Sequence, residues 1–389
     1  IIGACSDKTW CRFGRRIPSL FSGATLAVIV MCMLPNAGSF GMAVGAAMIF
    51  GLISLMFLDT SINIAMQPFK MLVGDMVNEK QKGLAYSIQS FLCNAGSLVG
   101  YLFPFFLAFV GISNTAPKGV IPDSVIFSFY IGAAILILCV IYTTIKVKEM
   151  PPKEYAEYHG ITEKEEKEKT NMFKLLMHAP KAFWTVGLVQ FFCWGAFMIM
   201  WTYTNGTVAY NIFDTPTVTK VAGGVTKIVL DTQSIQYQEA GNWIGVAYAV
   251  QAIGAVLWAI AIPWFKNRHV VYSLSLILGA AGFLSLYFAH SLAALFIAFA
   301  LIGCAWAATL ALPFTILTNA LSGGHMGTYL GLFNGTICVP QIVTACLGGL
   351  VLTILTPQGQ LAPEVMMMVI GGVMLIAGAA CVWIIKEKQ

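Results

Sequence analysis

Asp59, Asn63 and Gln67 stand at i, i+4 and i+8 in and just beyond an apolar run from Met42 to Met66. At that spacing a carboxylate and two amides share one face of a helix whose other faces are apolar. The chemistry open to such a stripe is proton exchange at the carboxylate and hydrogen bonding of hydroxyl groups by the amides. Asp59 lies roughly 16 Å along a helix from the basic Lys70, at about 1.5 Å per residue, which puts it near the middle of a bilayer. An ionisable group at that depth costs at least about 2.5 to 3.5 kcal/mol on insertion scales and marks a functional site by default. Apolar surroundings disfavour the charged form of a carboxylate, which suits Asp59 to take up and release a proton. Permanent pairing with a donor on another helix is the structural alternative.

A second set, Gln190, Trp194, Trp201 and Asn205, recurs at intervals of 4, 7 and 4 residues. Aromatic rings cover apolar C–H faces and amides take hydroxyls, the pattern of an apolar pocket with few polar groups that a sugar requires. Trp201, towards the end of its helix, is equally an ordinary interface anchor. Gln89, Asn94, Gln251, Asn319, Asn334 and Gln341 are further amides in apolar stretches. Each serves as well for helix-to-helix hydrogen bonding as for ligand contact. The substrate-binding set is read as Asn63, Gln67, Gln89, Gln190, Trp194 and Asn334.

The elements that must position these residues are membrane spans. The chain of 389 residues is 58% hydrophobic and 10% charged, with a mean hydropathy of +0.79, far from the balance of a soluble domain. Stretches of about 17 to 25 apolar residues suffice to span. They are placed near 17–35, 42–67, 84–110, 125–145, 183–204, 243–264, 270–289, 291–318, 328–355 and 364–385. With alternating sides, every Lys and Arg except Lys118, Lys220 and Lys227 falls on one side, which the positive-inside rule makes cytoplasmic, with the C-terminus there too. The net charge of +5 is therefore topological and implies no nucleic-acid partner.

Most of the ten cysteines fall within predicted spans, where Cys acts as a small apolar residue; Cys5 and Cys11 have no zinc-site spacing. The five histidines are scattered, without HExxH, GxSxG or Walker patterns, so the sequence reads as no enzyme, with neither metal nor cofactor. Asn205-Gly-Thr and Asn334-Gly-Thr match a glycosylation sequon but lie against or in spans.

The charged segment 146–182 divides a bundle at 1–145 from a bundle at 183–389 and reads as a cytoplasmic linker held by i,i+4 pairs. Residues 65–87 lay over 310–331, with Pro68-Phe69 on Pro313-Phe314 and Gly83 on Gly327 after one deletion. A repeat joined by a central loop is the mark of a transporter built from two related halves, and suits alternating access better than a channel. Six spans in the second half imply six in the first. The expectation is an all-α parent of twelve spans with about ten complete here, the first and most of the second lying before Ile1.

Two motifs carry a family resemblance. Gly3, Ser6-Asp7, Gly14-Arg15-Arg16 and Pro18 resemble the loop between the second and third spans of the major facilitator superfamily, as found in the sucrose-transporter branch of the glycoside-pentoside-hexuronide:cation symporters, with Ile17 where a third basic residue is usual. Leu58-Asp59, Asn63, Pro68, Lys70, Leu72 and Asp75 resemble that branch's fourth span, Lys70 standing where Arg is usual. The two motifs cover about 35 positions.

The resemblance implies the major facilitator fold and a proton-coupled disaccharide symporter, of sucrose or maltose type, with Asp59 as the coupling carboxylate. It also implies that Asp7, Arg12, Arg15, Arg16, Lys70 and Asp75 form a cytoplasmic gate network. Trp201-Thr202-Tyr203 departs from the branch, which carries acidic residues there, so the particular sugar stays open. So do Na⁺ in place of H⁺, and another solute such as a hexuronide or nucleoside. The expected partners are a small sugar, a coupling cation and the bilayer of the cell membrane, the protein acting as a monomer.

Overall fold

The computed structural model describes residues 11–385 apart from 13, 37–43, 78, 114–120, 152–153, 155–171, 223–224 and 321–325. Ten helical stretches among the described residues are long and apolar enough to cross a membrane, which makes this a multi-pass membrane protein. Their positions follow the hydrophobic runs, because in lipid the backbone must satisfy its hydrogen bonds within each segment.

The chain divides into two compact units, Ile1–Glu168 and Lys169–Gln389, so the division falls inside the segment read as a linker. The Glu/Lys run of that segment lies outside the described residues. Unit one holds α1 (Ile17–Met33), α2 (Val44–Met76), α3 (Glu79–Phe109) and α4 (Asp123–Lys146). Helix α1 packs against α2 and α4, around Leu20, Ala24 and Val140 with Ala65 and Leu136. Gly23 lets the α1 and α2 backbones meet: a Cβ there would lie 2.6 Å from the Ala65 nitrogen.

Unit two holds α5 (Met172–Met177), α6 (Lys181–Asn211), strands β1 (Thr217–Ala222) and β2 (Val225–Leu230), α7 (Ile235–Ala261), α8 (Arg268–Ser285), α9 (Leu292–Ala320), α10 (Met326–Phe333), α11 (Gly335–Leu355) and α12 (Glu364–Val382). Helix α6 is its axis. Val189, Cys193, Phe197 and Met200 share a core with Tyr272, Leu276 and Phe283 of α8, Phe299 and Ile302 of α9, and Leu375 of α12. Caps set the helix starts: Ser234 Oγ accepts from the Tyr237 N–H at 3.2 Å, and Asn267 Oδ1 accepts from the His269 N–H at 2.9 Å.

The internal repeat is visible in the packing. Helix α8 contacts α9 and α12 as α1 contacts α2 and α4, and α2 and α9 carry Pro68 and Pro313 about two turns before their C-terminal ends. The span expected at 328–355 is found over Gly331–Leu355; Asn334, between α10 and α11, keeps a helical backbone, its carbonyl accepting from the Ile337 and Cys338 N–H groups. One feature departs from the sequence reading. Residues 217–230, read only as connection, form an antiparallel pair from Thr217 opposite Leu230 to Ala222 opposite Val225. The consecutive β-branched residues of Thr217-Val218-Thr219, Val225-Thr226 and Ile228-Val229 favour it.

Candidate functional site

In unit one the polar stripe lies on the face of α2 turned away from α1. Ser54, Ser61, Pro68 and Leu72 are buried, at spacings of 7, 7 and 4 that mark one helical face. Asp59 falls on the opposite side and is exposed, while Asn63 is half-buried. Asn63 Nδ2 donates to the Asp59 backbone carbonyl at 2.9 Å, which fixes the amide beside the carboxylate's own turn. Gln67, Lys70 and Asp75 belong to α2, but their side chains lie outside the described residues, and Asp7 lies outside them altogether. Gln89 on α3 is half-buried.

The loop entering α1 is held by a residue that the sequence reading passed over. Glu149, just past α4, accepts from the backbone N–H of Arg15 at 2.8 Å, of Arg16 at 2.8 and 3.0 Å, and of Ile17 at 2.9 Å. These are N–H groups that a starting helix leaves without internal partners, and a carboxylate there also suits the positive end of the helix dipole. Gly14 is in the left-handed region at φ +107°, and a Cβ there would sit 2.6 Å from a Glu149 oxygen. Only glycine meets both demands. Arg16 is buried at 5% exposure, Arg15 is half-buried, and Arg12 is exposed.

In unit two, α6 and α9 bring three tryptophans together. Trp194 and Trp306 lie 5.6 Å apart edge to face, Trp201 and Trp306 5.9 Å, and Trp194 and Trp201 6.3 Å. Phe197 closes the group at 5.0 Å from Trp306. Trp194 is buried and its Nε1 has no hydrogen-bond partner, whereas Trp201 is 42% exposed and Trp306 half-buried. The cluster therefore offers partly open ring surface above an unused indole N–H. Trp306 escaped the sequence reading, since it stands by itself in the run Leu301 to Leu312; only its separation of four from Ile302 and three from Thr309 hinted at a shared face.

Gln190, one turn before Trp194, is fully buried; its Nε2 donates to the Thr309 carbonyl at 3.4 Å and its Oε1 has no partner. In this conformation it ties α6 to α9. Asn205 keeps a buried Oδ1 without a partner. Asn334, between α10 and α11, is half-buried and makes no side-chain cap. Among the described residues no group of three His, Cys, Asp or Glu has the arrangement to hold a metal ion.

No family model matches the chain. A sucrose transport protein of Arabidopsis thaliana is 22% identical over 373 residues, covering 89% of this chain and 72% of that protein. Among solved structures, a D-xylose-proton symporter matches with a TM-score of 0.66 at 14% identity, over 99% of this chain and 84% of the other. A major facilitator superfamily transporter in an outward conformation matches at 0.61 and 14% identity, over 96% and 84%.

Proposed function

We propose that this chain, whose fold is that of the major facilitator superfamily, is a secondary active transporter that carries a sugar with a cation by alternating access. The observation that carries this reading is the tryptophan cluster of Trp194, Trp201 and Trp306, an aromatic surface suited to the C–H faces of a pyranose. The sucrose transport protein that matches 89% of the chain supports a disaccharide of sucrose or maltose type as the cargo. In this reading the rings bind the sugar, the amides of the same unit, Gln190 and Asn334, orient its hydroxyls, and Asp59 carries the coupling proton. Coupling follows when sugar binds best to the protein carrying a neutral Asp59, because a ligand shifts an equilibrium only by its differential affinity for the two states. The protein would act at the cell membrane with its C-terminus in the cytoplasm, where the Lys and Arg bias points. Arg15, Arg16 and Glu149 would then stand on the cytoplasmic side, where a gate is required.

The test is uptake into vesicles. A pH gradient is expected to drive accumulation of labelled sucrose or maltose, with sucrose, maltose, melibiose and glucose compared as competitors. Asp59→Asn is expected to abolish accumulation while sparing sugar exchange. Full uphill transport by that variant removes the coupling role, and absence of competition by every disaccharide removes the sugar reading.

A further inference from the structure

The second unit carries a carboxylate that the scheme above does not use. Glu364 opens α12, following Pro363. A glutamate in a first helical turn is ordinarily a solvated partner of the helix dipole. Here the side chain lies instead against α6: a Cβ on Gly206 would collide with both Glu364 carboxylate oxygens, so glycine at 206 is what leaves room for the group. The Tyr237 phenol on α7 lies close enough to feel its charge, whereas the Tyr203 hydroxyl on α6 is set against Gly348 of α11. The Asn205 amide, beside Gly206 in the chain, rests against the Tyr237 hydroxyl, and its Oδ1 is buried without a partner.

The donor set is thus one carboxylate, one amide oxygen and one phenol oxygen, drawn from three helices where α6 ends and α7 and α12 begin. No described residue donates a hydrogen bond to the Glu364 side chain or forms an ion pair with it. Tyr237 on α7 and Tyr203 on α6, the latter with its hydroxyl against Gly348, are the titratable groups within range of its charge. Helices α8 and α11 and the turn at 286–288, also against α12, bring it no charge. An acidic group in a span with no cationic partner is costly and calls for one. An all-oxygen set of net charge −1 selects a single hard monovalent cation over a transition metal.

We infer that Glu364, with Asn205 and Tyr237, is a site for one positive charge, taken up as a proton on the carboxylate or as a sodium ion among the oxygens. It is separate from Asp59 and does not depend on the identity of the cargo. The two sources share one chemistry, neutralisation of Glu364.

The test uses the whole purified protein without substrate or gradient, so its failure is distinct from failure of the transport reading. Dicyclohexylcarbodiimide reacts with the protonated acid in apolar surroundings, and labelling is mapped by mass spectrometry against exposed Glu239 as reference. A proton site predicts labelling of Glu364 above Glu239 at acid pH, its loss at alkaline pH, and no change when sodium chloride replaces choline chloride. A sodium site predicts that sodium abolishes the labelling. Absence of Glu364 labelling at every pH and in choline, or labelling indifferent to pH and sodium alike, overturns the inference. Glu364→Gln is expected to lose the pH- or sodium-dependent shift in Tm that the parent protein shows. A variant that keeps the full shift also overturns it, and where the variant fails to fold, the labelling of the parent protein decides.

Discussion

The Glu149 carboxylate grips the start of α1 through the backbone of Arg16, whose N–H lies 2.8 Å from one carboxylate oxygen and 3.0 Å from the other. Together with the Arg15 and Ile17 N–H groups, this fastens the segment after α4 to the loop before α1. Hydrogen bonds to a charged group contribute about 1.5 to 3 kcal/mol, and a backbone donor stripped of its acceptor carries the desolvation cost as well. Glu149→Ala is therefore expected to destabilise the first unit by on the order of 2 kcal/mol. Glu149→Gln, which keeps one acceptor oxygen, should cost less. Thermal unfolding of the purified protein checks the order, and equal Tm values for the two variants would contradict it.

Gly14 answers to two separate demands, the left-handed φ of +107° and the room taken by Glu149. Gly14→Ala meets both penalties in the parent background, whereas in a Glu149→Ala background the carboxylate clash is gone and the backbone strain of about 1 kcal/mol remains with one tight contact, 3.2 Å to the Cβ of residue 149. The double-mutant cycle is thus expected to show coupling between positions 14 and 149. A strictly additive result in Tm would mean that the glycine serves the backbone alone.

These residues also show what a sequence yields. Spans such as Lys181–Asn211 were legible because burial in lipid demands a long apolar run, and the Pro68 and Pro313 echo was legible because proline within a helix is rare. Asp59 stood out through its cost. Glu149 did not, because its partners are backbone N–H groups, which no residue type advertises. Trp306 was hidden for another reason: the Trp194 to Trp201 spacing lies within one helix, whereas its approach to both rings depends on how α9 packs on α6. The strands at 217–230 carry β-branched residues but no period-two alternation of apolar and polar positions, so hydropathy passes over them.

Trp306 offers a test of the aromatic surface. If the cluster binds the cargo, Trp306→Leu removes a ring in contact with Trp194, Trp201 and Phe197. The expected result is a KM for sugar uptake raised about tenfold, equivalent to ~1.4 kcal/mol. Trp306→Phe, which keeps a ring, should recover much of that loss. A purely structural role would instead lower the amount of folded protein in both variants and leave KM unchanged.

Asn267 tests how far local capping supports the second unit. Its Oδ1 accepts from the N–H groups of both His269, at 2.9 Å, and Val270, at 3.3 Å, so two of the unpaired donors at the start of α8 depend on one side chain. Loss of such a cap costs about 1 kcal/mol, whereas Ser and Asp restore an acceptor at the same place. Helix α8 packs against both α9 and α12, so fraying at its first turn should spread into the core around Tyr272 and Leu276. Asn267→Ala is expected to lower Tm and Asn267→Asp to restore most of it, with the sugar KM unchanged in both because the position is remote from the tryptophan cluster in the chain and on another helix. A KM that moves with Tm would show that the start of α8 shapes the binding surface as well as the fold.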